Sequence, residues 1–194
     1  ADNDLNKKEL AEQYGARHFS DYNEMLNEVD AVTIVTPTTT HYEIAKKCLE
    51  SGKHVFVEKP LCFDPQEAEE LVNLANQKGL VLSVGYVFRF NPLIKRLKEL
   101  LLEIGPLQYI SGQYTHSTVP PRKDSGVIFN LGVHLLDILN YSLPQKPKSL
   151  FCNKVHQISE KNEDSAFINL NYGKFIANLE VSCCHPLKIR ELWV

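Results

Sequence analysis

The sequence predicts an α/β fold in two parts, a doubly wound parallel sheet followed by an α/β domain with a large, mostly antiparallel open sheet. Three observations predict it. Apolar runs at Ala31 to Thr36, His54 to Val57 and Leu80 to Val84 lack polar alternation, as expected of strands covered on both faces of a parallel sheet. Helical stretches with readable ends separate these runs, so strand and helix alternate. Beyond Gly105 the pattern changes to strand-like segments joined by short turns, which implies antiparallel pairing with one face available to a partner.

Taken in order, Leu5 to Tyr14 reads as a helix stopped by Gly15, and Asp21 to Asn27 as a shorter one. After the first strand, Thr40 and Glu43 form a capping-box pattern, and Gly52 follows that helix as its stop. Asp64-Pro65-Gln66-Glu67 supplies an N-cap, a proline at the first helical position and an acid in the first turn, with Gly79 as the stop. Asn91-Pro92 opens a third such helix, which Gly105-Pro106 ends. Leu107 to His116 then reads as a long strand, and a loop containing Pro120-Pro121 leads to a helix from about Asn130 to Tyr141. Strand-like segments follow at Ser149 to Ile158, Ser165 to Tyr172, Phe175 to Ser182 and Ile189 to Val194, with a hairpin turn at Tyr172-Gly173-Lys174. The boundary is expected near residues 88 to 106, dividing the chain into 1–95 and 96–194.

Composition narrows the classes. At 194 residues, 43% hydrophobic and 23% charged, the chain has enough apolar side chains for a packed core. A formal charge of -3 gives no general attraction to nucleic acid or to anionic membranes. No run of 18 apolar residues suggests a spanning helix, and the acidic, polar Ala1-Asp2-Asn3-Asp4 does not read as a signal peptide. The five cysteines (Cys48, Cys62, Cys152, Cys183 and Cys184) show no CxxC spacing and are odd in number, so reduced thiols in the cytoplasm are expected and no metal. In Cys183-Cys184-His185, neighbours on a strand would point to opposite faces and not converge on one ion.

Two stretches carry candidate chemistry. Lys53-His54-Val55-Phe56-Val57-Glu58-Lys59-Pro60 ends a buried-looking strand in two opposite charges and a proline. The carboxyl edge of a parallel sheet is where an open α/β fold puts its ligand. On its own the stretch reads more readily as a strand followed by a surface turn. The second stretch is the helix from Asn130, where Asn130, His134, Asp137 and Tyr141 recur on one face while Leu131, Leu135, Ile138 and Leu139 fill the others. Gly132 would permit close approach of another backbone. A histidine bonded to Asp137 at the core edge is the plainer account of that face. With Lys59 as partner, His134 makes sense as hydride-transfer machinery. Oxidising an alcohol needs a base for the hydroxyl proton, and an imidazole with an unperturbed pKa of about 6.5 suits it. A lysine ammonium would hold the same oxygen and stabilise developing negative charge, with Glu58 orienting Lys59.

Cofactor signals are partial. Thr36-Pro37 ends a strand and Thr38 to His41 opens a helix, so backbone N–H groups face a candidate crevice, although a capped helix with no ligand reads the same way. Asp2, just before a helix, could end a strand and bind an adenosine ribose; its charge would then repel a 2′-phosphate and favour NAD over NADP. No GxGxxG occurs and no strand precedes Asp2. The chain is therefore expected to be a fragment of a longer polypeptide, or to lack preceding segments, and to stop inside a strand at Trp193-Val194.

Glu58-Lys59-Pro60 together with Gly132-x-His134-x-x-Asp137 resembles the Gfo/Idh/MocA oxidoreductases, the glucose-fructose and inositol dehydrogenase family. Asp30 to Pro37 with His41, and Gly52 to Leu61, extend the likeness along essentially the whole chain. The resemblance implies a partial Rossmann-like first domain, NAD (or NADP) binding through Asp2, Thr36, Pro37, His41, Glu58 and Lys59, and His134 as proton acceptor. It also implies a second domain whose open sheet packs against a neighbouring subunit, making a homo-oligomer. A narrower likeness in Gly85 to Pro92, Gly126 to Asp137, Glu163-Asp164 and His185 to Arg190 points to members that oxidise UDP-N-acetyl-hexosamines at the sugar 3-position. Arg89 is then a candidate for holding substrate or cofactor. Many members carry aspartate where this chain has Asn130, and an amide can bond a substrate but carries neither charge nor proton. The function implied is hydride transfer between a sugar or sugar-nucleotide hydroxyl and NAD(P), with Arg89, Asn130 and Lys59 binding substrate. The alternative is a catalytically inactive ligand-binding or oligomerisation module.

Overall fold

Two strand–helix–strand crossovers running in the same direction build the first of the two compact units, Ala1–Val84, into which the computed structural model divides; the second is Gly85–Val194. The structure describes residues 1–2, 4, 6–117 and 124–194. In the first unit, α1 (Lys7–Gln13) and α2 (Tyr22–Met25) precede β1 (Ala31–Ile34), α3 (His41–Glu50), β2 (His54–Val57), α4 (Pro65–Lys78) and β3 (Leu82–Val84). The strands lie in the order β1-β2-β3 and all pair in parallel. Leu5, where the first helix was expected to begin, lies outside the described residues.

Local signals place most of these ends. Asp64 accepts the Gln66 N–H at 2.8 Å, Pro65 opens α4, and Gly79 closes it in the left-handed conformation at φ 66°. Two expectations are corrected. Thr40 does not cap α3 with its side chain. Its hydroxyl turns back to Thr36 Oγ1 at 2.7 Å and the Pro37 carbonyl at 2.8 Å, because a single 3-10 turn, Thr38–Thr40, already leads into the helix. The strands are also not covered on both faces among the described residues. Val32, Ile34, Val55 and Val57 are buried with Ala45, Cys48, Leu49, Leu71 and Ala75, while Thr33, His54 and Phe56 are exposed. Right-handed crossovers that advance in one direction put both helices on the same side of the sheet.

The second unit comprises α5 (Pro92–Leu100), β4 (Tyr109–Ser117), α6 (Val133–Ser142), β5 (Ser149–Val155), β6 (Ser165–Asn171), β7 (Ile176–Ser182) and β8 (Cys184–Trp193). Its sheet has the order β5-β6-β7-β4-β8. Three neighbouring pairs are antiparallel and one, β4 with β7, is parallel, so the sheet is mixed and mostly antiparallel. α6 and the turn before it bury Leu131, Leu135 and Leu139 against Ile110, Ile168, Leu170, Leu179 and Val181 on one sheet face. Close approach is needed not at Gly132, where an added Cβ would find ordinary contacts, but at Gly112 and Gly126. A Cβ on Gly112 would press on Leu179 and Leu192, and one on Gly126 would collide with the Glu163 carboxylate. The Pro120-Pro121 loop lies outside the described residues. Residues 85 to 95, expected in the first domain, belong to the second unit. Phe88 packs on its core and Arg89 bonds to Asp137 on α6.

Candidate active-site elements

In the first unit, the carboxyl ends of β1 and β2 lie side by side because the strands are parallel and adjacent. Thr36 and Pro37 follow β1 and are exposed; Glu58 and Lys59 follow β2 and are half-buried. The Glu58 N–H donates to the Ile34 carbonyl at 2.9 Å, which carries the pairing one residue past the strand. Glu58 Oε2 accepts the backbone N–H of Lys59 at 3.2 Å, and the Lys59–Pro60 peptide is cis. His41 is 1% exposed. Its Nδ1 lies 2.8 Å from the Pro60 carbonyl oxygen and its Nε2 2.9 Å from that of Thr36. His41, expected among the cofactor-binding residues, spans the two strand ends, with one ring nitrogen facing each backbone. Asp2 is exposed; its N–H bonds the Phe19 carbonyl at 3.0 Å and its carboxylate accepts the Asp4 N–H at 2.9 Å.

In the second unit, His134 is 9% exposed on α6, with the Phe88 ring edge-on at 5.1 Å and the Tyr114 ring stacked at 5.7 Å. The Arg190 guanidinium covers the Tyr114 ring at 4.7 Å, as the β4–β8 register pairing Tyr114 with Arg190 allows. Desolvation lowers the pKa of His116, on the same strand as Tyr114, and the charges of Arg190 and Lys188 lower it further. Asp137 pairs with Arg89, where the helix spacing suggests His134. Arg89 Nε donates to Asp137 Oδ2 at 2.9 Å and its Nη2 to Oδ1, a bidentate pair that raises Arg89 further above its ordinary pKa. Tyr86 and Tyr141 flank the guanidinium at 5.4 and 5.6 Å. Asn130 does not continue the α-helical face below His134. It sits in a π-helical turn, Ile128–Gly132, whose wider winding changes its direction relative to a pure α-helix. Glu163 fixes the start of this turn, accepting the Ile128 N–H at 3.0 Å.

Sequence reasoning thus isolated His134 but missed its aromatic walls. The inward alternation of Ile110, Gly112 and Tyr114 along β4 was a usable signal for Tyr114. Nothing local marks Phe88 or Arg190 as neighbours of that ring, since each reaches it through tertiary packing.

The first unit matches the model for the oxidoreductase family with an NAD-binding Rossmann fold over residues 1–86. Residues 94–194 match the Gfo/Idh/MocA C-terminal domain. The chain belongs to the Gfo/Idh/MocA oxidoreductase family. Among Gfo/Idh/MocA members, the UDP-N-acetylglucosamine 3-dehydrogenase of Acidithiobacillus ferrooxidans is 33% identical over 90% of this chain and 55% of its own length. The NAD-linked scyllo-inositol 2-dehydrogenase of Bacillus subtilis is 32% identical over 70% of this chain and 42% of its own. In structure, the Acidithiobacillus enzyme has a TM-score of 0.85 at 30% identity, over 95% of this chain and 60% of that one. An inositol dehydrogenase homologue from Azotobacter vinelandii complexed with NAD+ has a TM-score of 0.90 at 26% identity, over 98% and 58%. The chain therefore spans about half the length of the curated relatives it matches.

Proposed function

We propose that the protein containing this chain transfers hydride between a sugar or sugar-nucleotide hydroxyl and NAD(P). The observation that carries the reading is the setting of His134, a buried imidazole on a helix wall between two aromatic rings. His134 takes the hydroxyl proton. Lys59 holds the hydroxyl oxygen and stabilises the charge that develops on it. Thr36, Pro37, Glu58 and Lys59 present polar groups and backbone at the carboxyl ends of adjacent parallel strands, which fits a nicotinamide. When bound, that cofactor supplies the hydride acceptor. Asn130 orients the substrate by hydrogen bonds. Arg89 acts through Asp137 as an anchor of α6, and His41 holds the Thr36 and Pro60 backbones in place. Arg190, over the ring stacked on the candidate base, favours a substrate with an anionic group, as UDP-N-acetyl-hexosamine oxidation at carbon 3 would use.

The sheet face away from α6 supports self-association. It presents Tyr109, Phe151, Phe167, Ile176 and Trp193, all at least 42% exposed, and we assign it to a homo-oligomer contact. All five cysteines are free thiols, in keeping with the cytoplasm, and no helix among the described residues is long and apolar enough to cross a membrane. In the full-length protein, His134→Ala and Lys59→Met should each lower turnover by at least about a hundredfold, the lower range for acid–base groups. Near-normal turnover in either variant removes the mechanism. Failure of the full-length protein to bind NADH at millimolar concentration, followed by fluorescence, would favour the alternative of a non-catalytic binding or oligomerisation module.

A further inference from the structure

The bend between β7 and β8 holds chemistry that the dehydrogenase reading leaves unused. Cys183 lies between the two strands rather than inside one, so the alternation expected to send Cys183 and Cys184 to opposite faces does not apply. Their sulfurs and a carboxylate oxygen of Asp164 all lie within 4.8 Å of one another. Backbone bonds fix the cluster from both sides: the Cys183 N–H donates to the Asp164 carbonyl at 2.9 Å, and the Asp164 N–H to the Val155 carbonyl at 2.8 Å.

Asp164 is the second, independent observation. It is 1% exposed, deeper than a carboxylate ordinarily sits. Its Oδ2 accepts the Gln157 and Ile158 N–H groups at 2.5 and 2.6 Å, whereas its buried Oδ1 has no hydrogen-bond partner among the described residues. A buried acceptor left in that state is suited to a further partner such as an ion.

We propose that Asp164, Cys183 and Cys184 form a three-ligand site for one thiophilic divalent cation of the zinc and cadmium class. Two sulfur donors select such ions over magnesium or calcium, which take oxygen. Around zinc, sulfurs at about 2.3 Å and a carboxylate oxygen at about 2.1 Å stand roughly 3.5 to 3.8 Å apart, so the cluster closes by about 1 Å on binding. Cys184 is exposed and supplies both the path in and the movable ligand. A water completes the tetrahedron. His185 stays outside, because its Nδ1 accepts the Leu187 N–H at 3.0 Å. The bound ion ties the β7–β8 bend to the 157–164 loop, and the site is independent of the hydride-transfer reading.

The test titrates the reduced full-length protein with Cd2+, following the ultraviolet thiolate-to-metal charge-transfer band, and with Zn2+ by calorimetry. Saturable 1:1 binding with a rise in Tm is expected. Removing an outer-shell partner of a metal costs about 10- to 100-fold in affinity, so Cys184→Ser, which alters an exposed side chain, should weaken binding by at least about tenfold. Asp164→Asn, checked for fold by circular dichroism, should weaken it as well. Absence of saturable binding overturns the proposal. So does binding unchanged in Cys184→Ser, which would assign the ion to other thiols.

Discussion

The two units differ in how far along the chain their contacts reach. In the first, sheet order equals chain order, and each strand meets the next across a single helix. In the second, β4 lies between β7 and β8, so Gln113 pairs with Glu180, 67 residues on. The candidate chemistry follows the same division. Lys59 sits on a turn whose own strand, neighbouring strand and one histidine fix its backbone. His134 sits on a helix positioned by Arg89, 48 residues before Asp137, and by Glu163, 35 residues beyond Ile128. Short-range signals therefore delimit the first unit, whereas the second becomes definite only when distant segments meet.

Substitutions can break or sharpen that contrast. His41→Ala should have the largest effect, about 3 kcal/mol, because it removes a fully buried ring whose N–H donates to a backbone carbonyl. It is the long-range clamp of the otherwise locally specified unit, and a denaturant melt showing a loss below about 1 kcal/mol would mean that the strand ends hold themselves. Arg89→Ala should cost about 2 kcal/mol in the same assay. The Asp137 side chain, 7% exposed, would keep its charge without a partner, but the Arg89 side chain is 45% exposed, so the pair is worth less than a fully buried one. A cycle with Asp137→Asn isolates the coupling, and additive effects would show that α6 does not depend on the pair. Asp64→Ala should be smallest, about 1 kcal/mol, the usual cost of an N-cap. An Asp64 effect as large as that of His41 would remove the distinction between local and distant control.

Legibility followed the same physics. Asp64, Pro65 and Gly79 mark α4 because a cap, a fixed φ and a left-handed stop act within one turn of the chain. Thr40 looked equally like a cap but found a nearer partner in Thr36, since a side chain can choose among several local acceptors. The polar residues of the 130–141 helix were visible, yet the π-turn that redirects Asn130 and the pairing of Asp137 with Arg89 were not. Both arise from elements remote in sequence.

By itself the sequence determined the element types, the parallel first sheet and the two stretches bearing Lys59 and His134, because periodicity, caps and charge at a strand end are properties of neighbouring residues. Only the tertiary structure decided that β4 pairs in parallel with β7, that His41 faces backbone carbonyls, that Phe88 and Tyr114 wall His134, and that Cys183 and Cys184 converge on Asp164. Each of those outcomes depends on which distant groups compete for the same buried space and the same hydrogen bonds, and no local pattern records that competition.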